Sequence, residues 1–193
     1  MTLPRTSMTH PLRIDAVAVP GGGQIGITIC PGKQQAHALT GAWARDLMTD
    51  LQAIQAWGAT AVISLIEEHE FAELGVAALG PSVNGIGLAW YHLPIADMQA
   101  PGPAWESHWS ASGPRIRRIL SGGGRVVVHC KGGLGRAGTV AARLLIEFGS
   151  APEEAIARVR AARPGAIETA HQERYLRQLV TLAETRCVAP GGA

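Results

Sequence analysis

Apolar positions along this chain alternate between two patterns: short β-branched runs that read as strands, and three-to-four spacings that read as helices. Two β-branched runs, at 13–19 and 24–29, flank Gly21, Gly22 and Gly23, which predicts a hairpin. Trp43, Leu47, Leu51 and Ile54 recur at helical spacing, so a helix is expected over about 41–57, stopped by Gly58. The Val/Ile content of 60–66 predicts a buried strand, followed by a short helix to about Leu74. A further strand is expected at 87–93, then a polar, Pro-rich loop at 94–103. The next helix runs from about 104 to 120, with Gly113 and Pro114 weakening or kinking it. Gly122, Gly123 and Gly124 then turn the chain into a strand at 125–129.

Three helices complete the pattern. The first starts near Arg136 and stops at Gly149. The second has Ser150 and Glu153 in capping-box spacing and ends at Arg163-Pro164-Gly165. The third has Thr169 and Gln172 in the same spacing, with Leu176, Leu179 and Val180 turned inward. The expected fold is α/β: a central, mostly parallel sheet flanked by helices, with a helical C-terminal third. One domain is expected over 12–188, with loose termini at 1–11 and 189–193.

A chain of 193 residues, 47% hydrophobic and 17% charged, is long and apolar enough for one sizeable core. A formal charge of +2 gives no reason to expect nucleic acid or a membrane as partner. Cys30, Cys130 and Cys187 are odd in number and lack metal-ligand spacing, which favours a reduced, cytoplasmic setting with no metal or other cofactor. No apolar leader opens the sequence, and Arg143 and Glu147 break the most apolar helix.

The chemistry concentrates in one segment, Val126-Val-Val-His-Cys-Lys-Gly-Gly-Leu-Gly-Arg-Ala-Gly-Thr139, which runs strand, glycine-rich loop, helix. Glycines let successive N–H groups turn inward and form an anion nest, and the helix start adds its positive end. Lys131, Gly132, Gly133, Leu134 and Gly135 would cradle a phosphate, and the Arg136 guanidinium would grip two of its oxygens. The same donors favour the Cys130 thiolate, a nucleophile for phosphoryl transfer. A rival pattern overlaps the loop: Gly133-Leu-Gly135-Arg-Ala-Gly138 is also a dinucleotide-binding G-x-G-x-x-G. That reading needs an acidic residue at a strand end about 20 residues on, whereas Glu153 and Glu154 lie at a helix start. The plainer alternative, a buried cysteine beside a surface arginine, leaves three glycines unexplained.

His129-Cys130-Lys-Gly-Gly-Leu-Gly-Arg136 resembles the signature loop of the cysteine-based protein tyrosine and dual-specificity phosphatases, in particular the kinase-associated branch and its bacterial relatives. The resemblance extends to Arg45-Asp46-Leu47, Trp57-Gly58-Ala59, His92 through Asp97, and Arg163 through Thr169. It implies a two-step reaction: the thiolate attacks phosphorus, an aspartic acid protonates the leaving oxygen, and water hydrolyses the phosphocysteine. Among Asp15, Asp46, Asp50 and Asp97, only Asp97 follows a strand in a Pro-bounded loop, so it is the expected acid. The other reading of Asp97 is an Asx turn.

His129 matches the family histidine and is expected to orient the loop rather than transfer protons. Gln172 either positions the hydrolytic water or merely completes a capping box. Glu67 and Glu68 are candidates to brace Arg136 or a solvated helix start. Trp105 and Trp109 read as core, or as a cleft wall after the acid loop. Ala137 departs from the family, which usually has Ser or Thr there to help the thiolate leave the phosphoenzyme. Three functions stay open: a metal-independent tyrosine or dual-specificity phosphatase, a phosphate-reading module with little activity, and a phosphatase for phosphoinositides or small phosphoesters, for which Lys131 speaks. The expected partner is a phosphorylated protein or small phosphoester.

Overall fold

The computed structural model describes residues 3–38 and 41–179. Its main sheet has five strands in the order β1-β2-β7-β5-β6. These are β1 (Asp15–Ala18), β2 (Gln24–Ile29), β5 (Ala59–Ser64), β6 (Ala89–His92) and β7 (Arg125–Cys130). β1 pairs antiparallel with β2 as a hairpin, and the other three pairings are parallel. The α/β expectation therefore holds, with β7 in the middle of the sheet.

Side chains alternate across β7. Val126, Val128 and Cys130 enter one core, while Val127 enters the other. The first core is covered by α4 (Pro103–Ser121), α5 (Gly135–Glu147), α6 (Pro152–Ala162) and α7 (Ala170–Arg177). The second is covered by α1 (Leu47–Ala56), α2 (Glu68–Glu73) and α3 (Leu79–Gly85). No helix among the described residues is long and apolar enough to cross a membrane.

Several elements differ from the sequence expectation. The helix expected from residue 41 begins at Leu47, because Asp46 caps it by accepting from Thr49 N at 2.7 Å. Trp43 instead lies in a two-residue strand, β4 (Trp43–Ala44), paired with β3 (Gln34–Gln35). There it faces the cations of Arg5, Lys33 and Arg45, with centroid distances of 5.1, 5.7 and 5.8 Å. Helix α4 runs unbroken through Gly113 and Pro114, anchored by buried Trp109, Ile116 and Leu120. The Ser150–Glu153 capping box does not form: Ala151 is the cap, Pro152 opens α6, and the Ser150 hydroxyl accepts from Arg158. The Thr169–Gln172 box does form. Helix α3 had no sequence signal, because Gly80, Pro81 and Gly85 read as loop. Buried Leu79 and Val83 hold it, and Gly80 leaves room for the Trp90 ring.

Residues 3–11, expected to be loose, are fastened to the domain. Arg5 pairs with Ala42 and Ala44 through the backbone, and buried Ser7 donates to Asp50 Oδ1 at 2.8 Å. Val180, Cys187 and the tail 189–193 lie outside the described residues.

Candidate active site

Residues 130–136 link the carboxyl end of β7 to the start of α5, and their carbonyls are held from outside. Lys33 Nζ donates to Lys131 O at 3.3 Å. Arg163 donates to Gly132 O and Gly133 O. Leu134 O accepts from Gly138 N at 2.8 Å, and Gly135 O from the Thr139 hydroxyl at 2.7 Å. With carbonyls fixed outward, the amides turn to the inner side. Gly133 N accordingly donates to Cys130 Sγ at 3.2 Å.

One glycine here is required by backbone and space, and a second packs against movable side-chain ends. A Cβ on Gly133, whose φ is +67°, would meet Thr28 O at 2.3 Å. One on Gly135 would meet the Glu168 carboxylate at 2.5 Å.

Arg136 is 1% exposed. Its Nη1 donates to Glu70 Oε2 at 2.6 Å and to Ile95 O at 3.0 Å, and its Nη2 donates to Glu70 Oε1 at 2.9 Å. Its Nε is buried with no partner among the described residues. Burial pushes the Glu70 carboxyl up, but the hydrogen bonds and charge of Arg136 outweigh it and hold Glu70 below the ordinary carboxylate value.

Asp97 sits on the loop after β6, with Oδ1 3.1 Å from Arg136 Nη2 and the side chain 57% exposed. Its neighbour Met98 has φ of +61°, uncommon for a non-glycine residue. Thr169 Oγ1 donates to Met98 O, and Gln172 Nε2 to Gln99 O at 3.1 Å, so the start of α7 clamps this loop. His129 is fully buried, with Nε2 2.7 Å from the Ser64 hydroxyl. Burial pushes its pKa down to about 3, which leaves it neutral at ordinary pH. A cavity of about 310 Å³ opens over the loop, lined by Lys33, Asp97, Lys131, Gly132, Leu134 and Glu168.

The family model for the Swiss Army Knife protein DSP-PTPase phosphatase domain matches residues 37–176. The chain belongs to this family. Cyclin-dependent kinase inhibitor 3 of Rattus norvegicus is 30% identical over 139 residues, 69% of this chain and 63% of the relative. The Homo sapiens protein is 29% identical over 137 residues, with the same coverage. The chain thus spans about 63% of the length of these curated relatives. Among solved structures, kinase associated phosphatase with its catalytic site cysteine substituted by serine superposes with a TM-score of 0.78 at 24% identity, over 93% of this chain and 98% of that one. Tk-PTP in its active form gives 0.61 at 26% identity, over 86% and 98%. PTPMT1 in complex with PI(5)P gives 0.62 at 20%, over 85% and 93%.

In this phosphatase domain Asp97, Lys131, Gly132 and Leu134 line one mouth, Cys130 Sγ accepts from Gly133 N, Gly135 N meets Glu168 on the rim, and Arg136 contacts Asp97. The expected braces of Arg136 and the two tryptophans fall elsewhere, while Gln172 lies against Gly135. The brace of Arg136 is Glu70, not Glu67 or Glu68: Glu70 is one helical turn further on, and only it points inward from α2. Its three-residue spacing from Glu67 is that of a capping box, a signal that could have found it, and Glu67 N donates to Glu70 Oε2 at 2.8 Å. Trp105 and Trp109 are buried core residues, stacked 4.9 Å apart with Arg143 over both rings. Gln172 spends its amide on Glu168 N, Thr169 N and Gln99 O.

Glu168 had no sequence signal of its own. Its Oε2 accepts from Gly135 N at 2.7 Å, on the rim of the cradle. It follows Ile167, which has φ of +60°.

Proposed function

We propose that this domain is a cysteine-dependent phosphatase that hydrolyses phosphotyrosine or phosphoserine/threonine monoesters through a phosphocysteine. The observation that carries the reading is the pairing of Cys130 Sγ with an inward amide while Glu70 fixes Arg136 beside it, leaving Arg136 Nε unpartnered. A dianionic phosphoryl group supplies the acceptor that Arg136 Nε lacks, and its charge suits a loop whose Gly133 amide already turns to the thiol. The Cys130 thiolate attacks phosphorus, forming the S–P bond as the ester P–O bond breaks. Asp97 gives its proton to the departing oxygen. Water then attacks the phosphocysteine, loses its proton to Asp97, and releases phosphate and thiolate. His129, fully buried, neutral and bonded to Ser64 through Nε2, acts by holding the β7 end in place. The functional unit is taken as residues 12–188 with the segment 3–11 attached.

A second reading, a phosphoinositide or small phosphoester as substrate, is favoured by Lys33 and Lys131 together at the mouth. Lys131 already leans to Glu73, 3.5 Å away, so the protein-directed reading is preferred. The test is hydrolysis of para-nitrophenyl phosphate with chelator and reductant, in wild type and Cys130→Ser. Turnover that the substitution abolishes supports the mechanism. No turnover by folded wild type moves the assignment to a phosphate-reading module. Phosphotyrosine peptides assayed beside phosphoinositides then decide the substrate.

A further inference from the structure

A second cavity lies apart from the one over the loop. It measures about 630 Å³ and is lined by Arg5, His10, Arg13, Trp43, Arg45 and Arg163. Ile29, also in its lining, is the register partner of Cys130 on the neighbouring strand. The cavity therefore lies alongside the phosphate loop, on the side to which the carbonyls of Gly132 and Gly133 face.

The charges in its wall do not balance. Arg45 is closed in a bidentate pair with Asp50, both contacts 2.8 Å. Asp15 is shared, 2.6 Å from Arg13 and 2.7 Å from Arg163. Arg5 has no carboxylate partner among the described residues, and its guanidinium rests over the Trp43 ring. The lining thus carries the guanidiniums of Arg5, Arg13 and Arg163 and His10, against the one carboxylate of Asp15 that Arg13 and Arg163 share. Such a surplus in a concave space raises the local concentration of anions, and guanidinium forks match phosphoryl oxygens. The wall is also built rather than accidental, because backbone pairing with Ala42 and Ala44 and the buried Ser7–Asp50 bond hold Arg5 in place.

We infer that this cavity is a second anion site, for a phosphoryl group or similarly multiply charged anion, coupled negatively to the phosphate loop. The binding stands on the cavity alone; the coupling rests on the loop being the reaction centre. Three effects give the coupling its sign. An anion on Arg163 competes with the carbonyls of Gly132 and Gly133 that this side chain holds. It offsets positive charge behind the cradle. It also repels a phosphate dianion across the loop. By linkage, phosphate in the cradle weakens the second site by the same factor.

The test is calorimetric titration of inorganic pyrophosphate into the full chain carrying Cys130→Ser, with and without Arg5→Ala and Arg13→Ala together. Unfolding midpoints control for folding. Two bound anions, falling to one with the arginine substitutions, are expected. A single site indifferent to Arg5 and Arg13 overturns the inference and leaves the catalytic reading intact. A single site abolished by those substitutions sustains the inference and removes the catalytic cradle. A phosphoserine peptide titrated in parallel separates a free anion from one carried on a chain: saturation of an Arg5-dependent site by either probe supports the site, and by neither overturns it.

Discussion

Replacing Glu70 by alanine strips Arg136 of both carboxylate contacts, at 2.6 and 2.9 Å, and strips Glu67 N of its acceptor at 2.8 Å. The two charged side chains are 1% and 2% exposed, so the guanidinium stays buried after its partner has gone. Removing one member of such a pair costs about 3–5 kcal/mol, and the lost helix cap adds about 1 kcal/mol. Two contacts soften this: Ile95 O at 3.0 Å from Nη1 and Asp97 Oδ1 at 3.1 Å from Nη2. The expected loss in Glu70→Ala is therefore about 3–4 kcal/mol. Glu70→Gln keeps an acceptor for Glu67 N but not the charge, and should lose about 2 kcal/mol.

Urea unfolding at neutral pH reads both values as shifts in midpoint at constant slope. Activity should fall as well, with inorganic phosphate becoming a weaker inhibitor, because a freed guanidinium no longer presents Nε to the cradle. The pH dependence is a further check. The folded carboxyl titrates below the unfolded one, near 4.5, so its stabilisation is complete above that pH and is lost as pH falls through the lower folded value. The gap between wild type and Glu70→Gln should close accordingly. A Glu70→Ala protein that loses under 1 kcal/mol and keeps its affinity for phosphate would refute this account of Arg136.

Three other outcomes follow from the same geometry. Ala137→Ser should speed phosphocysteine breakdown, because the buried methyl of Ala137 cannot donate to the departing sulfur and the Thr139 hydroxyl is committed to Gly135 O; single-turnover kinetics with no accumulated phosphoenzyme and no gain from serine would contradict it. Glu168→Gln should tighten inhibition by inorganic phosphate about fivefold, the size of one like-charge contact of ~1 kcal/mol, and an unchanged inhibition constant would show that the carboxylate swings clear before phosphate binds. His129 is held neutral, with a folded pKa near 3 against about 6.5 unfolded, so stability should fall as pH drops below 6.5, by up to ~1.4 kcal/mol per pH unit; His129→Gln should flatten that slope between about pH 6.5 and 4.5.

How far the sequence could be read depended on the range of the interactions involved. Helix α7 was legible because Thr169 and Gln172 cap it locally, and the loop was legible because its glycines, cysteine and arginine are contiguous. Helix α3 was not, since Gly80 serves a distant partner, the Trp90 ring. Glu70 shows the limit most clearly. Its capping-box position was visible at a three-residue range, but its pairing with Arg136 spans 66 residues and two elements, and the nearer glutamates looked better placed. The same holds for Arg163, which appeared as a helix end and in the family-like stretch to Thr169, with nothing to show that it ties Asp15 in β1 to the carbonyls of Gly132 and Gly133. What the local pattern discloses is the cradle; what it hides is the ring of long-range charges around it. Because loop carbonyls are oriented by Lys33 and Arg163 and the arginine by Glu70, the cradle's shape is imposed by that ring as much as by its own glycines. Substitutions at those three distant positions should therefore disturb phosphate binding even though none of them lies in the contiguous segment that first identified the site.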